Sequence, residues 1–384
     1  MIKAALRRIL ARGLAALGLA RAAEVEHKRQ LAAAIRTGAR DRAEREKAGA
    51  SEKIHIVSER LRLTRERTRA EDRARVAHVQ GLLRLRAQLA SPGSPSREAI
   101  ERESRLASAC SDYAAAKARW MAGQVPAGVR KTTGAGLTWS VPADMSDKGS
   151  LSHRILEHGW LPLEDLAAIR PFASGGVMLD IGANIGTTVI PRLVLGDFEC
   201  AYAAEPNSDN FLCLVGNVID NHLEGRVLPD RLAISSTIGT TRLRRAAQIG
   251  GHHLMGRETR SFETEEVACR TVDAWLARVQ VAPDAVRFVK VDTQGWDLHV
   301  LQGATGLLGC RQVVWQVEVS PSMMKEAGSR IEDLCALVQA NFTHVKELGR
   351  RGAPPWIPAS AAGDLLSSVS QQRRVANLLF FNLA

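Results

Sequence analysis

Val177-Met178-Leu179-Asp180-Ile181-Gly182-Ala183-Asn184-Ile185-Gly186 is the stretch on which the fold turns. Three apolar residues read as a buried strand, and the strand ends in a carboxylate followed at once by a glycine turn. Gly182 lets the backbone turn tightly. Gly186 lets the next helix pack close to its strand while a ligand approaches the main chain around Asn184. Such turns also serve nicotinamide and flavin cofactors, so the glycines alone do not choose a ligand. Asp180 narrows the choice, because a carboxylate inside the turn repels a pyrophosphate but suits the ammonium of a methionine moiety. The third glycine of the dinucleotide fingerprint is also missing.

Working outward, Cys200 to Ala204 reads as a second strand ending in Glu205-Pro206-Asn207, and Phe211 to Asp220 as a helix. A carboxylate about twenty residues past a glycine turn can grip both hydroxyls of a ribose. Further strands are expected within Arg226–Ile234, over Val286–Val291 ending in Asp292, and over Val313–Val319. Short apolar strands alternating with helices predict a parallel sheet covered on both faces. Asp180 and Glu205 then meet at its carboxyl edge, where open α/β folds bind ligands. In Phe288-Val289-Lys290-Val291-Asp292-Thr293-Gln294-Gly295-Trp296-Asp297, a lysine sits inside an apolar strand. Its charge must be paired or used, and Asp292 lies on the same strand face.

These motifs, in this order, resemble the FkbM family of methyltransferases. The resemblance covers about residues 150–384. It rests on the DIGANIG turn, Glu205-Pro206, Asn217, Thr271-Val272-Asp273, KVDTQG, Leu301-x-Gly303-Ala304 and Glu318. It implies an α/β fold of class I methyltransferase (Rossmann-like) type, a doubly wound, mostly parallel sheet, here with an N-terminal all-α helical extension. It also implies S-adenosylmethionine as donor and a hydroxyl of a sugar, polyketide or related metabolite as acceptor. Asp180, Gly182, Asn184, Gly186, Glu205, Pro206 and Asn207 are the expected cofactor contacts. Asp297 departs from the glutamate usual at its position.

Methyl transfer is an in-line displacement, so an enzyme mainly positions the acceptor and removes its proton. Asp292 is the first candidate base, with Lys290 to orient it or to stabilise a developing alkoxide. His252 and His253, in a Gly-Gly-His-His loop, are the second, since imidazole accepts protons near neutral pH. Asp292, Asp297 and Glu318 are also an alternative oxygen-ligand set for Mg²⁺.

The net charge of +11 is unevenly distributed. Residues 1–131 carry 29 Lys/Arg against 14 Asp/Glu, while the remainder is mildly acidic. The N-terminal part is rich in Ala, Glu, Arg and Leu to about residue 90, with apolar patches such as Ile54, Val57 and Leu61. That texture reads as a basic helical arm or a self-associating coiled coil. The first twenty residues suggest an amphipathic basic helix and peripheral membrane contact, within an otherwise cytoplasmic setting. After a break at Ser91-Pro92-Gly93-Ser94-Pro95, Ser96 is expected to cap a helix through Met121. The divisions expected are 1–121 (extension), 122–150 (linker and a short strand at Thr138–Val141) and 151–384 (enzyme). A chain beginning near Lys131 is then expected to bind cofactor unaided.

Two rival functions follow from the same residues. The basic arm suits a nucleic-acid methyltransferase. Against it stand an aromatic content of 4% and the lack of an Asn/Asp-Pro-Pro-aromatic segment or Pro-Cys pair. A non-catalytic assembly protein is the other, and the intact Asp180/Glu205 pair argues against it. Six scattered cysteines show no metal spacing and read as reduced core residues.

Overall fold

The computed structural model describes residues 96–142, 151–158, 163–244, 253–254, 264–349 and 356–382, with 73, 76–84 and 86 of a preceding helix. The chain divides into two compact units, Met1–Ala77 and His78–Ala384. Expectations for residues 1–72 fall outside the described residues. Among the described residues, no helix is long and apolar enough to cross a membrane.

The second unit opens with helical residues 78–84, then α1 (Arg97–Ala109) and α2 (Ser111–Met121), the hairpin β1 (Arg130–Gly134) and β2 (Leu137–Val141), and helices α3 (Leu151–His158) and α4 (Leu163–Ile169). The Ser96 side chain caps α1 as expected, accepting from the Ala99 amide at 3.2 Å. One helix to Met121 was expected, but Cys110 adopts an extended conformation and the chain folds back. The reversal lets Leu106 of α1 and Tyr113, Ala116 and Trp120 of α2 all enter one core. A single straight helix could not bury both sets. α3 and α4 are likewise separate helices, with Gly159 and Pro162 between them in the sequence.

The glycine-turn strand is β3 (Val177–Ile181), followed by α5 (Val189–Leu195), β4 (Cys200–Ala204), α6 (Ser208–Asp220) and β5 (Val227–Asp230). A smaller sheet is built from β6 (Ala233–Ile234), β7 (Gly239–Arg244), β8 (His253–Leu254) and β9 (Thr264–Arg270). The chain returns to the large sheet through α7 (Val272–Val279), β10 (Val286–Val291), α8 (Asp297–Gln302), α9 (Thr305–Leu308) and β11 (Val314–Val319). It ends with α10 (Pro321–Glu326), α11 (Ile331–Asn341), β12 (His344–Glu347), β13 (Ile357–Pro358), α12 (Ala362–Gln371) and β14 (Ala376–Phe381).

The large sheet has the order β13-β12-β14-β11-β10-β3-β4-β5. Its five strands from β11 to β5 are parallel, and β14 lies antiparallel between β11 and β12. This is a doubly wound, mostly parallel α/β sheet. The parallel strands are buried on both faces, which explains their unbroken apolar runs.

The N-terminal elements are part of this core, so the division expected from charge and punctuation differs from the one in space. Trp120 lies against Gly216 of α6, where any Cβ would come within 2.2 Å of its ring. Asn217 of α6 ties three segments together: it accepts from the Ser140 amide, and its own amide donates to the carbonyls of Ser140 and of Ile185 in the glycine turn. Val79 and Leu83 are buried with Phe198 on the opposite face of the sheet. Amphipathic helices of this kind cover a sheet face wherever one is left open, and composition does not reveal it.

A candidate cofactor and acceptor site at the carboxyl edge of the sheet

Strand register brings the predicted residues together. Asp180 pairs with Lys290 across β3 and β10, and Lys290 with Gln316 across β10 and β11. The glycine turn is pressed against the end of β10: Asp292 donates its amide to the Ile181 carbonyl at 3.0 Å. Gly182 has φ +78, and a Cβ there would stand 2.0 Å from the Asp292 carbonyl oxygen. Only glycine fits. The turn is held from the other side as well, since the amides of Gly182 and Ala183 both donate to the Ala204 carbonyl.

Asp180 is fully buried, and neither of its oxygens has a hydrogen-bond partner. Burial raises its pKa to about 6; the positive charge of Lys290, with Nζ 3.9 Å from Oδ1, works against that rise, and Asp292 adds to it. Glu205 is 5% exposed, and its two oxygens accept from the amides of Asn184 (2.8 Å) and Asn207 (2.9 Å). Burial pushes it to about 7 despite those two donors. Asn207 caps α6, its side-chain oxygen accepting from the amides of Asp209 and Asn210. Its Nδ2 and the Asn184 Oδ1 are buried without partners.

Lys290, 8% exposed, extends its ammonium to Asp292 Oδ2 at 3.0 Å. Burial opposes its charge, but Asp292 and Asp180 outweigh that and raise its pKa. Burial likewise works against the Asp292 charge, and the lysine overcomes it, holding Asp292 below its ordinary value. The Gln294 amide bridges Asp292 Oδ1 (2.9 Å) and Glu318 Oε2 (3.0 Å). Glu318 is pushed to about 9, first by the charge of Asp292 and then by burial. Two carboxyl groups thus sit side by side at neutral pH, one ionised and one protonated.

Asp297 takes a different part from the one its sequence position suggested. Its oxygens accept from the Thr293 amide and hydroxyl (2.9 and 3.0 Å) and from the Gly295 amide (3.0 Å), closing the turn after Asp292. Its oxygens are thus taken up by that turn, although its charge still acts on Asp292 and Glu318. Among the described residues, no three His, Cys, Asp or Glu side chains are grouped to hold a metal ion. His252 lies outside the described residues. His253 is in β8, opposite Arg244 of β7, and its side chain is likewise outside them. Sequence reasoning missed Asp165 of α4, a carboxyl raised by burial whose charge is offset by Arg192 and Lys290. Nothing local marks it. Only the packing of α4, held by buried Arg192 to the Asp165 and Leu166 carbonyls, carries it toward Lys290.

A comparison of sequences matches residues 180–351 to the family described as Methyltransferase FkbM domain. Residues 180–351 thus resemble a methyltransferase FkbM domain. That domain holds the glycine turn, Glu205, the Lys290–Asp292 pair and Glu318. No curated protein matches the chain. Among solved structures, the FkbM methyltransferase of Methylobacillus flagellatus KT is 16% identical, covering 54% of this chain and 44% of its own, with a TM-score of 0.34. The chain thus spans less than half of that protein. M. jannaschii TYW2, in complex with AdoMet, is 16% identical over 67% of this chain and 87% of its own, with a TM-score of 0.33. The precorrin-6y C5,15-methyltransferase of Geobacter metallireducens GS-15 is 11% identical over 55% and 82%, with a TM-score of 0.30.

Proposed function

We propose that the FkbM domain binds S-adenosylmethionine at the ends of β3 and β4 and methylates a hydroxyl oxygen of a sugar, glycan or related metabolite. The observation that carries this reading is the buried Asp180 carboxylate, which has Lys290 at 3.9 Å as its cation but no hydrogen-bond donor on either oxygen. A charge left in that state is costly, and a cationic ligand such as an amino-acid ammonium completes it. Gly182 leaves the backbone open beside it, and Glu205 keeps lone pairs free for ribose hydroxyls. Asn184, Gly186, Pro206 and Asn207 shape the remaining wall.

Bound there, the cofactor supplies an electrophilic methyl group on a sulfonium. The chain's own task is the acceptor proton. Asp292, kept ionised by Lys290 and aimed by Gln294, takes it from the hydroxyl as the oxygen gains its new bond to carbon. Glu318, protonated at neutral pH, offers a hydrogen bond to a second acceptor oxygen, which suits a polyol. The deciding experiment is incubation with methyl-labelled S-adenosylmethionine and a panel of sugars and nucleotide sugars. The label should appear as an ether stable to mild base. Label only on nitrogen or carbon, or no binding of S-adenosylhomocysteine at all, would refute the reading.

Asp180→Asn should weaken cofactor binding by about 1.5–3 kcal/mol, roughly ten- to a hundredfold. It should leave the unliganded protein at least as stable at pH 8, because ionising Asp180 above its raised pKa of about 6 costs stability that the amide does not. Titration calorimetry and thermal melts check both halves, and unchanged affinity would remove Asp180 from the site. Glu205→Ala should cost a similar factor in affinity and some stability, since it frees the Asn184 and Asn207 amides.

The pH dependence has a definite sign. Asp180 near 6 and Glu205 near 7 hold protons in the folded, unliganded protein that the unfolded chain loses at ordinary carboxyl values. These two groups therefore lower stability as pH rises from about 4 to 7. A cationic ligand prefers the ionised forms, so its affinity should move the other way. S-adenosylhomocysteine should bind about tenfold or more tightly at pH 8 than at pH 5.5, releasing protons as it binds. Calorimetry in buffers of different ionisation enthalpy measures that release. A flat profile would mean that neither carboxylate meets the ligand's charge.

A further inference from the structure

A second concave site lies away from the glycine turn, between α1 and α7 over the middle of β4. It has a volume of about 350 Å³, near the lower bound for small-molecule pockets. Arg102 and Arg105 of α1 and Arg278 of α7 line it, with Ser104 and Ser108, and Tyr202 of β4 contributes to its wall. None of these residues belongs to the site at the carboxyl edge.

The three guanidinium groups are placed by different means. Arg102 is pinned through Nε to the Gly225 carbonyl at 3.0 Å, leaving both terminal nitrogens free. Arg278 is held by the Asp230 carboxylate at 2.9 Å and by the Ala109 carbonyl at 2.7 Å. Asp230 is fully buried and also accepts from Trp275 Nε1, so its charge is spent within the protein. Arg105 is exposed and makes no ion pair or hydrogen bond. Of the acids of α1, Glu101 is engaged with Arg97 and Glu103 with Lys117 and Tyr113, while Glu98 makes no ion pair with the groove's arginines. Arg102 and Arg105 therefore form no ion pair within the protein, and the groove keeps a net positive lining.

Tyr202 is the independent observation. It is only 4% exposed, its ring sits edge-on to Trp275, and its hydroxyl, which no protein group engages, opens into the groove. A phenol whose ring is buried and whose hydroxyl alone meets a groove can donate to a ligand there. Burial pushes this hydroxyl to about 12, so at neutral pH it stays a donor. Planar guanidinium forks match tetrahedral oxyanions, and a net positive lining matches a dianion better than a single carboxylate.

We propose that this groove is a second ligand site, which takes the phosphate or diphosphate group of a small molecule through Arg102, Arg105, Arg278 and the Tyr202 hydroxyl. The site does not depend on the methyl-transfer reading, and its test makes no use of turnover. The full chain is titrated by calorimetry with inorganic pyrophosphate and, separately, with ADP, in wild type and in Arg105→Glu and Tyr202→Phe. Arg105→Glu changes an exposed residue with no contacts, and Tyr202→Phe keeps the ring, so both should melt like wild type. Saturable binding weakened at least tenfold by Arg105→Glu and several-fold by Tyr202→Phe, with S-adenosylhomocysteine affinity unchanged, is the expected result. Tighter binding of ADP than of pyrophosphate points to a phosphorylated metabolite; the reverse points to the free anion. Absence of saturable binding, or identical titrations in wild type and Arg105→Glu, would overturn the proposal. So would binding of a short RNA in preference to both probes with the same dependence on Arg105.

Discussion

A chain that begins at Lys131 should fail to fold, and one that begins at His78 should fold and unfold cooperatively. The first removes Val79, Leu83, Leu106, Tyr113 and Trp120, all buried in the cores on the two faces of the large sheet. Burying side chains of this size contributes about 1.5–3 kcal/mol each, so five of them rival the roughly 5–15 kcal/mol net stability of a domain. The loss also exposes Gly216 and Gly225, against which Trp120 and the Ala99 carbonyl are packed. Arg278 would lose the Ala109 carbonyl, and α6 would keep its contacts with β2 but not those with α2. Near-ultraviolet circular dichroism and thermal melts separate the two truncations. A chain from Lys131 that melts cooperatively and binds S-adenosylhomocysteine would show that α1 and α2 are accessories to the sheet. Within a chain starting at His78, Trp120→Ala alone should cost about 3–5 kcal/mol, because the flat face of Gly216 cannot rise to fill the space.

What the sequence disclosed and what it hid divide along contact distance. The five parallel strands, the turn at Gly182 and the carboxylates Asp180, Glu205 and Asp292 were legible because each is written in fewer than ten consecutive residues. Their convergence was legible too, since parallel strands bring their carboxyl ends to one edge. The placement of α1 and α2 was not. A basic amphipathic helix shows the same stripe whether it waves in solvent or covers a sheet, and Gly216, the position that receives Trp120, lies 96 residues further on. The division of labour among the acids was hidden for the same reason. Asp292, Asp297 and Glu318 look alike in sequence. Only the fold shows Asp297 folded back on the Thr293 and Gly295 amides, and Glu318 facing Asp292 across a shared Gln294. Asp165 carries no local signal; it nears Lys290 because buried Arg192 anchors the backbone of α4.

The reading of Asp292 as base makes the sharpest kinetic demand. Asp292→Asn should lower turnover on the order of 10²-fold or more while cofactor affinity changes little, because the amide keeps the shape and the Gln294 contact but cannot accept the proton. Lys290 sets the pH range of that chemistry. By holding Asp292 below its ordinary value, it keeps the base ionised across the neutral range, so turnover at saturating cofactor should show no acid limb between about pH 6 and 7. A histidine base would behave otherwise: the limb would appear there, and His252→Ala or His253→Ala would take the larger toll. Lys290→Met should move the limb upward, since Asp292 would lose its cation while keeping Glu318 and Asp180 as neighbours. That shift separates a lysine acting through Asp292 from one that merely supports the strand, which would change stability without moving the profile. Should Asp292→Asn turn over near the wild-type rate, the proton must leave by another route. Glu318, the only other carboxyl sharing Gln294 among the described residues, would then be next to test: its pKa of about 9 predicts a wild-type rate still climbing above pH 8, and Asp292→Asn, which removes the largest cause of that rise, should bring the climb to lower pH.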